Sequence, residues 1–128
     1  MISFEGFRAI DGVPIYLQIV NHIKRGCVAK TIVNGDSLPS RRYLSALLRI
    51  NPMTVQKAFR LLEEEGLISS VQGSGSFITI DNERIIRIKA ELLNDEIRKM
   101  IASLKQMGIS KDEAVELIVR QWEENSDE

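Results

Sequence analysis

The chain has 128 residues, a net charge of −1, and apolar and charged fractions of 44% and 27%, the proportions of one ordinary globular domain or a small domain with an appendage. No apolar run reaches the roughly 18 residues of a membrane span, so no membrane partner is expected. The opening MISFEGFRAIDG also lacks the basic-then-apolar order of a secretory signal. Cys27 is the single cysteine, which excludes an intrachain disulfide and leads us to expect a cytoplasmic location.

Residues 1–13 read as an arm or loop. Pro14 then suits a first helical position, and Ile15, Ile19, Ile23, Val20 and Cys27 fall at helical spacings. Val33 to Asp36 break that helix. Leu38-Pro39 reads as a short extended link, because the residue before proline avoids helical geometry. Ser40 can cap a second helix with an apolar stripe of Tyr43, Leu44, Leu47 and Leu48. At Asn51-Pro52 the pattern restarts. Asn is a strong N-cap and proline is favoured at the first helical position, so these residues open a third helix instead of kinking the second. Val55, Ala58, Phe59 and Leu62 give it a core face, and Gly66 ends it. In LISSVQGSGSFITI, β-branched and polar residues alternate around Gly73-Ser74-Gly75, a hairpin signal. The Gly-x-Gly is no phosphate loop, since no Lys-Ser/Thr follows it and a strand comes next.

After Asp81 the period changes. Ile86, Leu93, Met100 and Met107 are seven apart, interleaved by Ala90, Ile97 and Leu104. This a/d pattern predicts a helix that packs on another helix. Gly108 ends it, and Ser110 with Glu113 forms a capping box for a last helix bearing Ala114, Leu117, Ile118 and Trp122 on one face. The final EENSDE reads as a frayed tail.

The expected fold is mainly α with a small β-hairpin. Residues 1–80 form a winged helix-turn-helix with an N-terminal arm, and residues 81–128 form a short two-helix dimerisation segment. Charge divides the same way, with a net of +3 over residues 1–80 and −4 over 81–128. Between residues 36 and 60, Arg41, Arg42, Arg49, Lys57 and Arg60 face only Asp36. Such a cluster can attract a polyanion.

In a winged helix-turn-helix the third helix enters the DNA major groove N-terminus first. That places Met53, Thr54, Gln56, Lys57 and Arg60 as the readers. Gln can pair with adenine, Lys can reach guanine, and Met or the Thr methyl can meet thymine. Asn51 and Thr54 can bind phosphate. Glu63, Glu64 and Glu65 at the far end repel phosphate and so polarise the helix. Arg41 and Arg42 at a helix start oppose the macrodipole, which points to an external anion. No catalytic set, cofactor fingerprint or metal-ligand cluster stands out. His22 and Cys27, five apart on a helix, read as packing or surface residues, so an enzyme is not expected.

Residues 14–78 resemble the DNA-binding domain of the GntR family of bacterial transcription regulators. The motifs are GDSLPSRRYLSALLRINPMTV, the spacing of Ala58, Leu62, Gly66, Leu67 and Ile68, and the wing QGSGSF. PIYLQI, INPMTVQKAF and the short helical tail resemble its YtrA subfamily. The resemblance implies a phosphate contact at Arg42, the arginine of the LPS-x-R motif, beside which Ser40 and Arg41 are further candidate DNA contacts. It also implies contacts at Asn51, Met53, Thr54 and Gln56 of the recognition helix and at the wing-tip Gly73. Two departures matter. Many members carry Arg where this chain has Pro52, and their wings are often basic where Gln72, Ser74 and Ser76 are neutral. The wing therefore contributes less electrostatically.

Residues 81–128 are too few to enclose a pocket of the usual few hundred cubic ångströms in one subunit. They suit pairing with a second copy through Leu93, Ile97, Met100, Leu104 and Trp122. The competing arrangement folds these helices back on the winged-helix domain. The leading expectation is a homodimeric repressor on a palindromic double-stranded operator, with no cofactor. A small-molecule effector between subunits is compatible with that architecture, and no residue pattern names one. A winged-helix protein-interaction module without DNA contacts is the alternative, and the basic residues around the turn weigh against it.

Overall fold

A computed structural model describes residues 1–125. Its elements run α1 (Ile15–Ala29), α2 (Arg41–Leu48), α3 (Pro52–Glu64), β1 (Ile68–Val71), β2 (Gly75–Ile78), α4 (Asn82–Gln106) and α5 (Lys111–Glu124). The chain divides into two compact units, Met1–Lys89 and a second that begins at Ala90.

The first unit is a helix-turn-helix with a hairpin wing, as the sequence predicts. Ile19, Val20, Ile23 and Cys27 of α1 are buried with Val55, Ala58, Phe59 and Leu62 of α3. Burying each large apolar side chain of this kind contributes about 1.5–3 kcal/mol. The α1 helix ends at Lys30, which takes a left-handed φ of 64°. Ile32 then folds back over Gly26, whose backbone carbonyl accepts from the Ile32 N–H at 3.1 Å. A Cβ at Gly26 would lie 2.3 Å from the Ile32 side chain, so the missing side chain makes room for this return.

The wing pairs β1 with β2 antiparallel, Ile68 opposite Ile78 and Ser70 opposite Ser76. Ser74 N–H closes its turn on the Val71 carbonyl at 2.9 Å, with Gly73 at φ 83° in the third position, where a type II turn needs positive φ. The extended link before α2 joins the sheet. Ser37 bridges Phe77, and Leu38 N–H donates to the Ser76 carbonyl at 2.9 Å.

The arm has no regular secondary structure, yet it is packed. Ile2 and Phe4 are buried, and Ile2 N–H donates to the Ser37 carbonyl at 2.8 Å. Phe4 stacks on His22 at 4.4 Å between centroids. The His22 Nε2–H donates to the Ser3 carbonyl at 2.9 Å, since a carbonyl can only accept. His22 and Cys27 thus serve packing.

One expectation for α2 needs correction. Tyr43 and Leu47 are half-exposed instead of joining the core. On this eight-residue helix Leu44 and Ser45 are the buried pair, and Tyr43 and Leu47 line an open cleft with the arm and Pro39.

The second unit is a helical hairpin turning at Gly108, φ 75°. Ser110 caps α5 through the Glu113 N–H at 3.2 Å. Glu123 and Glu124, expected in a frayed tail, belong to α5, and residues 126–128 lie outside the described residues. No residue of α5 is buried, and Ile88, the buried residue of α4, belongs to the first unit.

Candidate nucleic-acid interface

The turn between α2 and α3 is built from local chemistry. Arg49 leaves α2 in the left-handed region at φ 56°, a conformation costing roughly 1–2 kcal/mol for a residue with a Cβ. Two hydrogen bonds hold it. Ile50 N–H donates to the Ser45 carbonyl at 3.1 Å, and the Ser45 hydroxyl donates to the Ile50 carbonyl at 2.7 Å. Asn51 then caps α3, its Oδ1 accepting from the Met53 N–H at 2.8 Å, with Pro52 at the first helical position. Asn51-Pro52 therefore starts a helix, as expected.

This cap leaves the start of α3 facing outward. Met53 is 67% exposed, an unusual setting for a large apolar side chain, and Asn51, Lys57 and Arg60 are exposed beside it. Thr54 and Gln56 are half-buried on the flank. The Gln56 amide has no hydrogen-bond partner among the described residues and is available to a ligand. Lys57 is parked, its Nζ 4.1 Å from the centroid of the Tyr16 ring on α1, a cation–π contact.

The two arginines that open α2 differ. Ser40 caps that helix through the Tyr43 N–H at 3.1 Å. Arg42 is exposed, without an ion-pair partner among the described residues. Arg41 finds its anion inside the chain. Its guanidinium meets Glu63 of α3 at 3.3 Å and lies 5.1 Å from the centroid of Phe59.

The acidic end of α3 is equally engaged. Glu65 pairs with Lys24 of α1 at 3.1 Å. Glu63 also accepts from the Ser70 hydroxyl at 2.6 Å, and Ser70 meets Ser76 across the hairpin at 3.0 Å. Behind it, Gly66 at φ 74° ends α3, and its carbonyl accepts from Arg84 of α4 at 2.6 Å. Gly73 stands exposed at the wing tip. The pairings of Glu63 with Arg41 and Ser70 carry no signal in the sequence, because these partners meet through tertiary packing, whereas the Ser45 bond to Ile50, five residues on, is local.

In the second unit Ile97, Met100, Leu117, Ile118 and Trp122 line an open apolar trough. Leu93 and Ile97 are about half-exposed, Leu104 is partly covered, and Trp122 is 76% exposed. Among the described residues no group of three or more His, Cys, Asp or Glu could hold a metal, and no helix is long and apolar enough to cross a membrane.

Comparison with known proteins agrees with this geometry. The profile described as "Bacterial regulatory proteins, gntR family" matches residues 15–78. The HTH-type transcriptional regulator YhcF of Bacillus subtilis (strain 168) is 32% identical over 103 residues, covering 80% of this chain and 85% of that protein. The HTH-type transcriptional repressor YtrA of the same organism is 31% identical, covering 82% of each. Among solved structures, a GntR family transcriptional regulator from Listeria monocytogenes superposes with a TM-score of 0.75 at 33% identity, over 88% of this chain and 98% of that one. The DNA-binding domain of AraR in complex with operator ORE1 superposes at 0.50 and 27% identity, over 57% and 94%.

Proposed function

The chain belongs to the GntR family of bacterial regulatory proteins, on its YtrA branch, and we propose that this transcriptional regulator acts as a homodimeric repressor on a palindromic operator. The observation that carries the DNA-reading part is the outward N-terminal end of α3. It combines a capped, rigid start, an exposed Met53 and an unengaged Gln56 amide. In the proposed complex Met53, Thr54, Gln56, Lys57 and Arg60 read base edges, while Ser40, Arg42 and Asn51 position the backbone. Gly73 brings the wing close to the minor groove. Lys57 exchanges its Tyr16 contact for DNA. Likeness to an operator-bound AraR domain supports this docking, and the repressor named YtrA supports the direction of regulation.

Dimerisation rests on the second unit. A hairpin in which no residue of α5 is buried lacks a core of its own, and small units of this kind generally need oligomerisation. The trough that includes Ile97, Met100 and Trp122 supplies the apolar surface, with Leu93 and Leu104 completing the seam. Two copies related by a twofold axis read half-sites about one or two helical turns apart.

The test is selection of bound sequences from random DNA, followed by band-shift titration and sedimentation. An inverted repeat bound by two chains is the expected result. Failure to shift any DNA at low salt overturns the proposal in favour of a protein-interaction module, and monomeric sedimentation at micromolar concentration overturns the dimer.

A further inference from the structure

Three elements meet on one carboxylate. Glu63 lies in the last turn of α3, and its Oε1 accepts from the Ser70 hydroxyl on β1 at 2.6 Å and from Arg41 Nη2 on α2 at 3.3 Å. Ser70 continues the chain to Ser76, its register partner on β2, at 3.0 Å. Ser76 is buried, which anchors the far end. Arg41 is steered from behind by the Phe59 ring, itself buried. The other carboxylates at this end do something else: Glu65 pairs with α1, and Glu64 has no ion-pair partner among the described residues.

We propose that Arg41, Glu63 and Ser70 form a positioning set that fixes the wing relative to the recognition helix, and that Arg41 serves DNA binding through this set instead of as a phosphate ligand. The inference rests on the reading that α3 and the wing both meet DNA. The hairpin is small, four residues per strand, and its tip residues Gln72, Gly73 and Ser74 carry no charge. Without charge to draw it to the backbone, the wing contributes by standing in place beforehand, since preorganisation removes an ordering cost from binding. The Arg41–Glu63 pair is solvent-exposed on both sides, at 40% and 38%. Exposed pairs add little to global stability, so its consequence lies in geometry.

The two roles for Arg41 predict opposite signs at Glu63. Were Arg41 a phosphate ligand held back by Glu63, Glu63→Ala would free it, remove a negative charge, and tighten binding to all DNA. A positioning set predicts that Glu63→Ala weakens binding to the selected operator about tenfold, with an unchanged thermal midpoint. Hydroxyl-radical protection is lost where the wing approaches the minor groove and kept under α3. Arg41→Ala gives a similar loss with an unchanged salt slope, and Arg41→Ala/Glu63→Ala is no worse than either alone. Glu63→Gln, which keeps an acceptor for Ser70, recovers part of the affinity. In the free protein, order parameters at Gln72–Ser74 fall in Glu63→Ala and Ser70→Ala while the Met53–Lys57 amides are unmoved.

Tighter binding by Glu63→Ala, or a salt slope shallower by about one in Arg41→Ala, overturns the inference. So does an unchanged wing order parameter, whether or not the protein binds DNA. Absence of DNA binding by the wild type overturns the functional reading and is distinguished by that free-protein measurement.

Discussion

The Ser45 hydroxyl donates to the Ile50 carbonyl at 2.7 Å, while the Ser45 carbonyl accepts from the Ile50 N–H at 3.1 Å. One residue of α2 thus fastens both polar groups of the turn residue that precedes the α3 cap. Removing the hydroxyl leaves the carbonyl short of a partner in a partly buried site, at a cost of about 1–3 kcal/mol. Ser45→Ala should therefore lower the urea unfolding free energy by that amount despite alanine's better helix propensity. The comparison is made at one protein concentration, because dimerisation links stability to concentration.

Gln56 and Arg42 should separate recognition from attraction. Gln56→Ala should lose about 1–3 kcal/mol of discrimination between the selected operator and a scrambled duplex. Arg42→Ala should weaken binding to both alike and make the salt dependence shallower by about one contact. Wild-type affinity should fall steeply with salt, and band-shift titrations over a range of salt concentrations read all three quantities. Equal losses for both variants on both DNAs would refute this division of roles.

The apolar trough offers a separate handle. Ile97→Glu should place a charge in the proposed seam and dissociate the dimer, and Trp122→Ala should remove its largest exposed anchor. Central aromatic anchors commonly contribute about 2 kcal/mol or more, so a Trp122→Ala dissociation constant at least about thirtyfold weaker is expected by sedimentation. Both variants should retain the helical content of the first unit, and both should lose most of the wild type's preference for the full operator over a half-site.

Cys27 should be chemically quiet. Burial, assisted by the Asp36 carboxylate, pushes its thiol up from 9.0 to about 11. The thiol then stays protonated in the folded state at neutral pH, and labelling by a thiol reagent should follow unfolding. The sign of the pH effect is defined. Between about pH 9 and 11 the unfolded thiol releases its proton while the folded thiol keeps it, so stability falls as pH rises through that window. The decline should be smaller in Cys27→Ala, as urea midpoints at about pH 8 and pH 10.5 will show.

Much of this protein is local and was therefore legible. Asn51 and Pro52 start α3 through a cap and a fixed φ, both properties of neighbouring residues. The turn at Gly73, the end of α3 at Gly66 and the Ser110 cap follow the same logic. Periodicity identified the inner face of α3 because 3.6 residues per turn repeats along the chain.

The sequence by itself determined which segments become helices and hairpin, and which end of α3 is free of carboxylates. Tertiary structure alone decided what each charged side chain is for. Arg41 and Arg42 are adjacent and alike in sequence, yet Arg41 turns toward Glu63 and Phe59 while Arg42 stays in solvent. Glu63, Glu64 and Glu65 form one acidic run, yet two of them bind different helices and one of those also holds the wing. Tyr43 and Leu47 keep the helical spacing of core residues and still face a cleft, because α2 buries only one narrow side. Caps and turns depend on atoms a few residues away. A long side chain's partner depends on how separate elements approach, which the order of residues along one element does not encode.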